Sequence, residues 1–264
     1  RRNTRWCVRS RGLGDVYKRQ MQRRLGEIAR SGRSIGFVPT MGALHRGHVS
    51  LVERAVAEND TVVVSIYVNP TQYDDPDDLA NYPRPLEADL EKAEAAGAHL
   101  ALVPAYEDLY ADDYRFRVSE GKLSRELEGA HREGHFDGVL TVVMKLFGIV
   151  RPNRAYFGEK DGQQLQLVRD MARALFLDLE VVPCPVVRET DGLALSSRNA
   201  RLGEKERELA PEFYRVRTSG EPVDEMTRAL GKAGFEVDYV QRRGDRVLGA
   251  VRLGKVRLID NVEA

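Results

Sequence analysis

The chain has 264 residues, of which 42% are hydrophobic and 31% charged, and its formal net charge is zero. This composition is typical of a soluble globular protein, and the length allows one large domain and a smaller one. Because no apolar run approaches the ~20 residues of a membrane-spanning helix, and no apolar secretory segment stands at the start, we expect no membrane association.

The first twenty residues differ in composition from the rest. They hold seven of the 41 basic residues, one of the 41 acidic residues and the only Trp. Their ending, Asp15-Val16-Tyr17-Lys18-Arg19-Gln20, resembles a translated sequencing adapter, so we predict that residues 1–20 are a non-native segment. The alternative is a basic arm that binds nucleic acid.

The charge and cysteine content beyond residue 20 indicate which partners and which cellular compartment to expect. It comprises 34 basic and 40 acidic residues, a net charge of −6, which argues against a nucleic-acid-binding surface. Cys184 is then the only cysteine, so we expect no disulfide framework and a reducing, cytoplasmic location.

The most informative stretch follows a helix predicted over Met21–Arg30. An apolar run at residues 35–38 predicts a buried strand ended by Pro39, and apolar residues at helical spacing predict a helix from Gly47 onward. The turn between them carries two glycines and two histidines. Such a turn favours phosphate, because glycines allow close approach, the helix N-terminus attracts anions, and histidines add donors. A plain turn with incidental histidines is the alternative.

The chain then alternates between strands and helices. Apolar patterns predict strands at residues 61–68, 99–103, 155–157 and 179–182, and helices at 86–96, 139–150 and from 162 to about 175. This order predicts an α/β fold with a Rossmann-like, doubly wound parallel sheet, whose ligands bind at the carboxyl ends of the strands.

The composition shifts after Asn199, and the remainder predicts a small α+β domain with short strands at residues 237–240 and 257–259. We therefore place the Rossmann-like domain, which binds nucleotide and substrate, at residues 21–187. A C-terminal lid domain takes residues 188–264, with a hinge near Val187–Asp191.

Four loop motifs give a specific resemblance. They are Pro-Thr-Met-Gly-x-Leu-His-x-Gly-His, Val-Asn-Pro-Thr-Gln, Gly-Glu-Lys-Asp and Leu-Ser-Ser-Arg-Asn, in this order. Together they resemble the pantothenate synthetase (pantoate–β-alanine ligase) family, over residues 32–202 and again over 234–261. That family belongs to the nucleotidyltransferases with a His-x-x-His signature.

The resemblance implies a cytoplasmic homodimer that uses ATP as a substrate together with Mg²⁺. Pantoate would attack the α-phosphorus of ATP, and β-alanine would then displace AMP from pantoyl adenylate. No nucleic acid or membrane partner is implied.

The resemblance also assigns residues. The catalytic group would be His48, the proton donor, with His45 and Lys160. Gln72, Gln164 and Asn69 would bind pantoate and β-alanine. The ATP site would comprise Met41, Gly42, Ala43, Leu44, His45, Arg46, Gly47, His48, Gly158, Glu159, Lys160, Asp161, Val187, Leu195, Ser196, Ser197 and Arg198.

The residue types fit this chemistry. Lys160 and Arg198 are fixed cations suited to a triphosphate, and amides suit a small acid because they bind its carboxylate without neutralising the nucleophile. Asp89 is placed near a Mg²⁺ position, with a solvated helix charge as the alternative. His131 and His135 flank a segment that could close over the site, with ordinary surface histidines as the alternative.

The sequence also departs from the family pattern. The family's first strand is expected to be missing, replaced by the foreign segment, and the C-terminal domain is short. Two other functions therefore stay open. One is a nucleotidyltransferase acting on a phosphorylated alcohol, and the other is a non-catalytic nucleotide-binding remnant.

Overall fold

The computed structural model describes residues 6–9 and 14–263. It divides into two compact units. The first comprises the described residues up to Leu44, His48–Phe157 and Gln163–Cys184, and the second comprises His45–Gly47, Gly158–Gly162 and the chain from Pro185 onward. The boundary after Cys184 precedes the expected hinge, so Val187–Asp191 lies within the second unit.

The secondary structure follows the predicted alternation. The strands are β1 Trp6–Arg9, β2 Ile35–Thr40, β3 Thr61–Ile66, β4 Leu100–Val103, β5 Arg154–Gly158, β6 Glu180–Cys184, β7 Glu236–Arg243, β8 Arg246–Leu253 and β9 Val256–Glu263. The helices are α1 Gly14–Arg30, α2 Arg46–Glu58, α3 Pro76–Ala80, α4 Leu86–Ala95, α5 Tyr106–Leu109, α6 Glu128–His131, α7 His135–Val150, α8 Gly162–Ala174, α9 Glu204–Leu209, α10 Glu212–Arg217 and α11 Val223–Ala233.

Among the described residues of the first unit, six strands form one sheet in the order β1-β4-β3-β2-β5-β6. The pairings of β2 with β3 and with β5 are parallel. The chain adds β3 and β4 on one side of β2 and β5 and β6 on the other, so the direction of winding reverses between β2 and β5. Ligands of doubly wound sheets bind at the carboxyl ends of the strands beside such a reversal. The predicted fold is confirmed.

Pro39 does not end its strand, contrary to the prediction. Pro39 is in register with Ser65 of β3, and the strand continues to Thr40. The carbonyl of Thr40 accepts from the Tyr67 amide of the next segment, so Pro39 faces the β5 side. There the pairing ends at Phe37 with Ala155, and the missing N–H of proline costs no ladder bond.

The N-terminal region also differs from the prediction. Helix α1 begins at Gly14 rather than Met21, because no proline or glycine interrupts residues 15–20. A first strand is present as well, since Trp6–Arg9 pairs in parallel with β4 along Leu100–Val103. The expectation that this strand is missing is therefore wrong.

Helix α7 provides much of the core of the first unit. Twelve of its sixteen residues are buried, and the helix extends four residues earlier than the predicted start at Val139. The ring of Phe147 on this helix packs edge to face against Phe37 of β2 and Phe157 of β5. The distances between the ring centroids are 6.3 and 6.4 Å. The helix thus fixes the two strands that border the winding reversal.

The second unit is built on an antiparallel sheet in the order β7-β8-β9. Strand β8 was not predicted, although Gly244 and Gly254, both with positive φ, mark the two turns that bound it. Arg217, fully buried on α10, donates to Asp260 of β9 at 2.6 Å, and Arg188 makes a bidentate pair with the same carboxylate. This ion network joins the sheet to its helices.

No helix in the part of the chain that the structure describes is both long enough and apolar enough to cross a membrane.

Candidate active site

The turn after β2 is tightly folded. The hydroxyl of Thr40 donates to the Ser65 carbonyl at 2.7 Å and accepts from the Gly42 amide at 3.1 Å. Gly42 and Ala43 then have φ angles of 86° and 50°. The glycine is required at its position because a side chain there would be strained, whereas Ala43 holds a left-handed conformation that costs a non-glycine residue free energy.

Asp89, on the first turn of α4, binds this turn directly. Its Oδ2 accepts from the Ala43 amide at 2.8 Å and its Oδ1 from the Leu44 amide at 2.7 Å. The residue is completely buried. The alternative of a solvated helix charge is therefore wrong. The described residues also contain no cluster of three or more His, Cys, Asp or Glu side chains that could hold a metal ion.

The two histidines follow at the start of α2, which begins at Arg46. The Gly47 amide donates to Nδ1 of His45 at 3.1 Å. Because Nδ1 accepts a hydrogen bond, the ring proton of neutral His45 resides on Nε2. A Cβ at position 47 would lie 2.9 Å from the His45 ring, so glycine is required there. His48 is half-buried in the first turn of the helix.

Asn69 and Gln72 lie at the end of β3 in a short 3₁₀ turn, Pro70–Gln72, and both are buried. The Asn69 amide donates to the Gln72 side-chain oxygen at 3.2 Å and accepts from the Tyr110 hydroxyl at 2.9 Å. Burial raises the pKa of Tyr110 to about 12, so its phenol stays protonated and donates. The Gln72 amide in turn donates to the sulfur of Met41 at 2.9 Å. Two predicted substrate-binding residues are thus brought together beside Met41, the first residue of the predicted ATP-binding turn.

Helix α7 packs against the 3₁₀ turn Pro70–Gln72. A Cβ on Gly138 would lie 2.3 Å from the Thr71 carbonyl oxygen, so the close approach of helix and turn requires glycine. Nδ1 of His135 lies 2.7 Å from the Gln72 carbonyl, and Nε2 lies 3.2 Å from an Arg132 guanidinium nitrogen. Since a carbonyl only accepts and a guanidinium only donates, His135 is neutral with its proton on Nδ1.

Burial and the neighbouring Arg132 lower the pKa of His135 to about 4, in agreement with that protonation state. Arg132 is itself paired with Asp74 at 2.9 Å. His131, by contrast, is exposed. The alternative of ordinary surface histidines is therefore correct in exposure for His131 and wrong for His135, which supports a predicted substrate-binding residue.

Gln164 lies in the first turn of α8 and is half-buried. Within the described residues its side chain makes no hydrogen bond. Its neighbour Gln163 is buried and fully engaged, because its oxygen accepts from the Glu128 amide at 3.0 Å and its nitrogen donates to the carbonyls of Leu123 and Glu126, both at 2.7 Å. The two adjacent glutamines therefore have different surroundings.

In the second unit, Gly158 precedes a short 3₁₀ turn, Glu159–Asp161. Asn261 of β9 donates to the carbonyl of Lys160 at 3.0 Å and also to that of Glu159. Arg246 bridges the Glu159 carboxylate, at 2.8 Å, and the Asn261 side chain, at 2.6 Å. The sequence does not reveal this support, because the hairpin residues that supply it carry no motif of their own.

The loop from Val187 to Arg198 is also ordered by local bonds. The Leu195 amide donates to the Val187 carbonyl at 3.0 Å, and Ser196 caps the next 3₁₀ turn by accepting from the Arg198 amide at 3.2 Å. Gly192, with φ 92°, leaves no space for a side chain against Tyr214. One pocket of this unit is lined by Lys160, Ser196, Arg198, Asn199, Tyr214 and Asp260, among others.

These features define a class: an α/β enzyme of the nucleotide-binding type, with a histidine-bearing strand–turn–helix after β2 and a lysine loop after β5. The family model described as pantoate-beta-alanine ligase matches residues 16–263. The chain belongs to the pantoate–β-alanine ligase family, as its motifs predicted. Residues 16–20, the last part of the predicted non-native segment, lie within the start of this match.

Individual relatives agree. The pantothenate synthetase of Bdellovibrio bacteriovorus is 54% identical over 230 residues, which cover 87% of this chain and 92% of the relative. That of Legionella pneumophila strain Corby is 47% identical over 228 residues, covering 86% and 90%. The crystal structure of pantoate-beta-alanine ligase from Francisella tularensis, complexed with beta-gamma ATP and beta-alanine, is 36% identical, has a TM-score of 0.91 and covers 98% of each chain.

Proposed function

We propose that this protein condenses pantoate with β-alanine, using ATP, to give pantothenate, AMP and pyrophosphate. The observation that carries the proposal is the 2.9 Å contact between the Gln72 amide and the Met41 sulfur. It joins a buried cluster of neutral amides, suited to a small acid, to the turn that bears the family's histidines. Ligands bound by the two groups would lie side by side, as transfer between them requires.

The first step forms a bond between a pantoate carboxylate oxygen and the α-phosphorus of ATP. It breaks the bond between that phosphorus and the bridging oxygen, and pyrophosphate leaves with the electron pair. Gln72, Asn69 and Gln164 bind pantoate without protonating its carboxylate. His48, His45 and Lys160 donate to phosphate oxygens as negative charge develops there.

The second step consumes the pantoyl adenylate. The amine of β-alanine, which Gln72 helps to place, attacks the acyl carbon, and the bond from this carbon to the AMP oxygen breaks. The amine loses a proton as the amide forms. The mixed anhydride makes this possible because AMP is a far better leaving group than the oxide of a free carboxylate.

The nucleotide is bound by Met41 to His48 and by Gly158 to Asp161, Val187 and Leu195 to Arg198. The amides of Gly42, Ala43 and Leu44 donate to Thr40 and Asp89. We therefore assign the phosphate contacts of the turn to its histidines rather than to these three N–H groups. Lys160 and Arg198, which line one pocket, supply the positive charge.

Mg²⁺ enters this proposal with ATP. Since both oxygens of Asp89 accept backbone N–H groups, a Mg²⁺ ion that accompanies ATP would be coordinated by phosphate oxygens and water, which that ion prefers to retain. We also propose a cytoplasmic homodimer. Cys184 is buried as a free thiol, in keeping with a reducing compartment. Light scattering during size-exclusion chromatography measures the subunit number.

The central experiment is pyrophosphate release from ATP by the purified protein, with and without pantoate, in the absence of β-alanine. We expect release only with pantoate, and pantothenate and AMP in equal amounts once β-alanine is added. Release that requires a phosphorylated alcohol instead would identify the related nucleotidyltransferase, and ATP binding without release would identify the non-catalytic remnant.

His48→Ala sharpens this experiment. If His48 stabilises charge in the transition state, the variant loses two to three orders of magnitude in kcat, about 3–4 kcal/mol, while its Kd for ATP changes little. His131→Ala, an exposed histidine, is the matched control and should retain wild-type rates. A variant with unchanged kcat and a raised ATP requirement would limit His48 to binding.

A further inference from the structure

The turn after β2 contains an anion-binding concavity that the protein fills with its own carboxylate. Successive residues in left-handed and helical conformations turn their N–H groups toward one point, an arrangement that binds anions. Here Gly42 and Ala43 have positive φ, and the N–H groups of Ala43 and Leu44 converge on Asp89. Each carboxylate oxygen takes one N–H group, at 2.8 and 2.7 Å.

Helix α4 binds both backbone groups of Leu44. One turn after Asp89, Lys92 donates from Nζ to the carbonyl of Leu44 at 2.7 Å. The helix therefore binds the N–H and the carbonyl of the same residue, with groups of opposite charge. Asp89 is fully buried, and a Cβ on Gly42 would lie 2.9 Å from its Oδ2, so the packing leaves the carboxylate little freedom.

We propose that Asp89 is a positioning residue, which fixes the backbone of residues 42–44 and thereby the start of the His45–His48 segment, and that it does not bind the metal. This inference rests on the proposed adenylation. Charge-assisted hydrogen bonds to a buried carboxylate hold a strained backbone better than neutral ones. Histidines that are already in position when ATP binds need little rearrangement to reach the transition state.

The test compares Asp89→Asn with Glu91→Gln, an exposed acid on the same helix. The asparagine keeps the shape but turns an NH₂ group toward one of the two N–H donors. We expect pantoate-dependent pyrophosphate release to fall at least thirtyfold in kcat, whereas the Mg²⁺ concentration for half-maximal activity stays within twofold of wild type. Glu91→Gln should match wild type in both.

Recovery of Asp89→Asn activity at raised Mg²⁺, with a tenfold or larger shift of the half-maximal concentration, would overturn the proposal in favour of a metal ligand. An unchanged kcat would overturn it as well. Gly42→Ala, whose Cβ would displace the carboxylate, should reproduce the loss in kcat without a Mg²⁺ shift.

Amide hydrogen exchange tests the clamp, meaning the two hydrogen bonds from the Ala43 and Leu44 amides to Asp89, independently of activity. In the wild-type protein the Ala43 and Leu44 amides should be protected, and in Asp89→Asn they should exchange at least tenfold faster while β3 amides are unchanged. Equal protection of the two amides in both proteins would overturn the clamp. A wild-type protein with protected amides but no pantoate-dependent release would instead refute the proposed function and leave the clamp intact.

Discussion

Gln72 and Gln164 have the same expected role, yet the structure surrounds them very differently. Gln72 is buried, accepts from Asn69, donates to Met41 and has its carbonyl bound by His135. Gln164 is half-buried, and its side chain has no hydrogen-bond partner among the described residues. One amide is fixed before a ligand arrives, and the other is free to turn toward it.

The difference separates two contributions to catalysis. A fixed amide places its ligand with little loss of side-chain entropy on binding, so its removal should raise the reaction barrier as well as weaken binding. A free amide must be ordered by the ligand, which offsets part of the hydrogen bond it gains. We therefore expect Gln72 to contribute more to catalysis than Gln164 does, and to contribute to the stability of the folded protein as well.

Gln72→Ala should show the largest effect. It removes the partner of a buried Asn69 amide and empties space beside Met41. We expect kcat/KM for pantoate to fall by about three orders of magnitude, roughly 4 kcal/mol, with part of the loss in kcat. Steady-state kinetics of pyrophosphate release measures it. Gln166→Ala is the control, because this exposed glutamine hydrogen-bonds to Asp170 and, within the described part of the chain, to no other side chain. A pure rise in KM would show that preorganisation of Gln72 contributes nothing to the barrier.

His135, which contacts the Gln72 carbonyl, should make the stability of the protein depend on pH. The pKa of His135 is about 4 in the folded protein and about 6.5 in an unfolded chain, so the unfolded state binds more protons between these values. The free energy of unfolding should therefore fall as the pH drops from about 6.5 to 4, by about 3 kcal/mol in total. Above pH 7 this group should contribute no pH dependence.

His135→Asn isolates that contribution, because asparagine can donate to the Gln72 carbonyl but does not titrate. Urea unfolding at several pH values should give a flatter profile for His135→Asn than for wild type. His131→Asn, the exposed counterpart, should retain the wild-type slope. Parallel profiles for all three proteins would show that His135 is not the titrating group.

The sequence predicts the order of the parallel strands and the loops that follow them well, because motif residues, glycines and apolar runs are local signals. It predicts their partners poorly. Asp89 looks like a surface helix charge until α4 packs against the turn, and His135 looks like one of two similar histidines until α7 buries it. The same holds for Pro39, whose strand continues only because β5 no longer pairs there. Such contacts join residues far apart in sequence, and no local pattern encodes them.

The smallest effect should come from Gln164→Ala, and its neighbour supplies a sharp control. The only role we propose for Gln164 is to bind pantoate. Its removal should weaken pantoate binding by roughly 1–2 kcal/mol and leave ATP affinity and the melting temperature nearly unchanged. Gln163→Ala breaks three hydrogen bonds to the segment from Leu123 to Glu128. It should lower the melting temperature by several degrees and disturb pantoate less. Calorimetric titration and thermal unfolding on both variants measure this crossover. Gln164→Ala could weaken ATP binding as much as pantoate binding, or lower the melting temperature as much as Gln163→Ala does. Either result would show that Gln164 stabilises the helix and does not bind the substrate. Gln72 and Gln164 would then differ in packing alone.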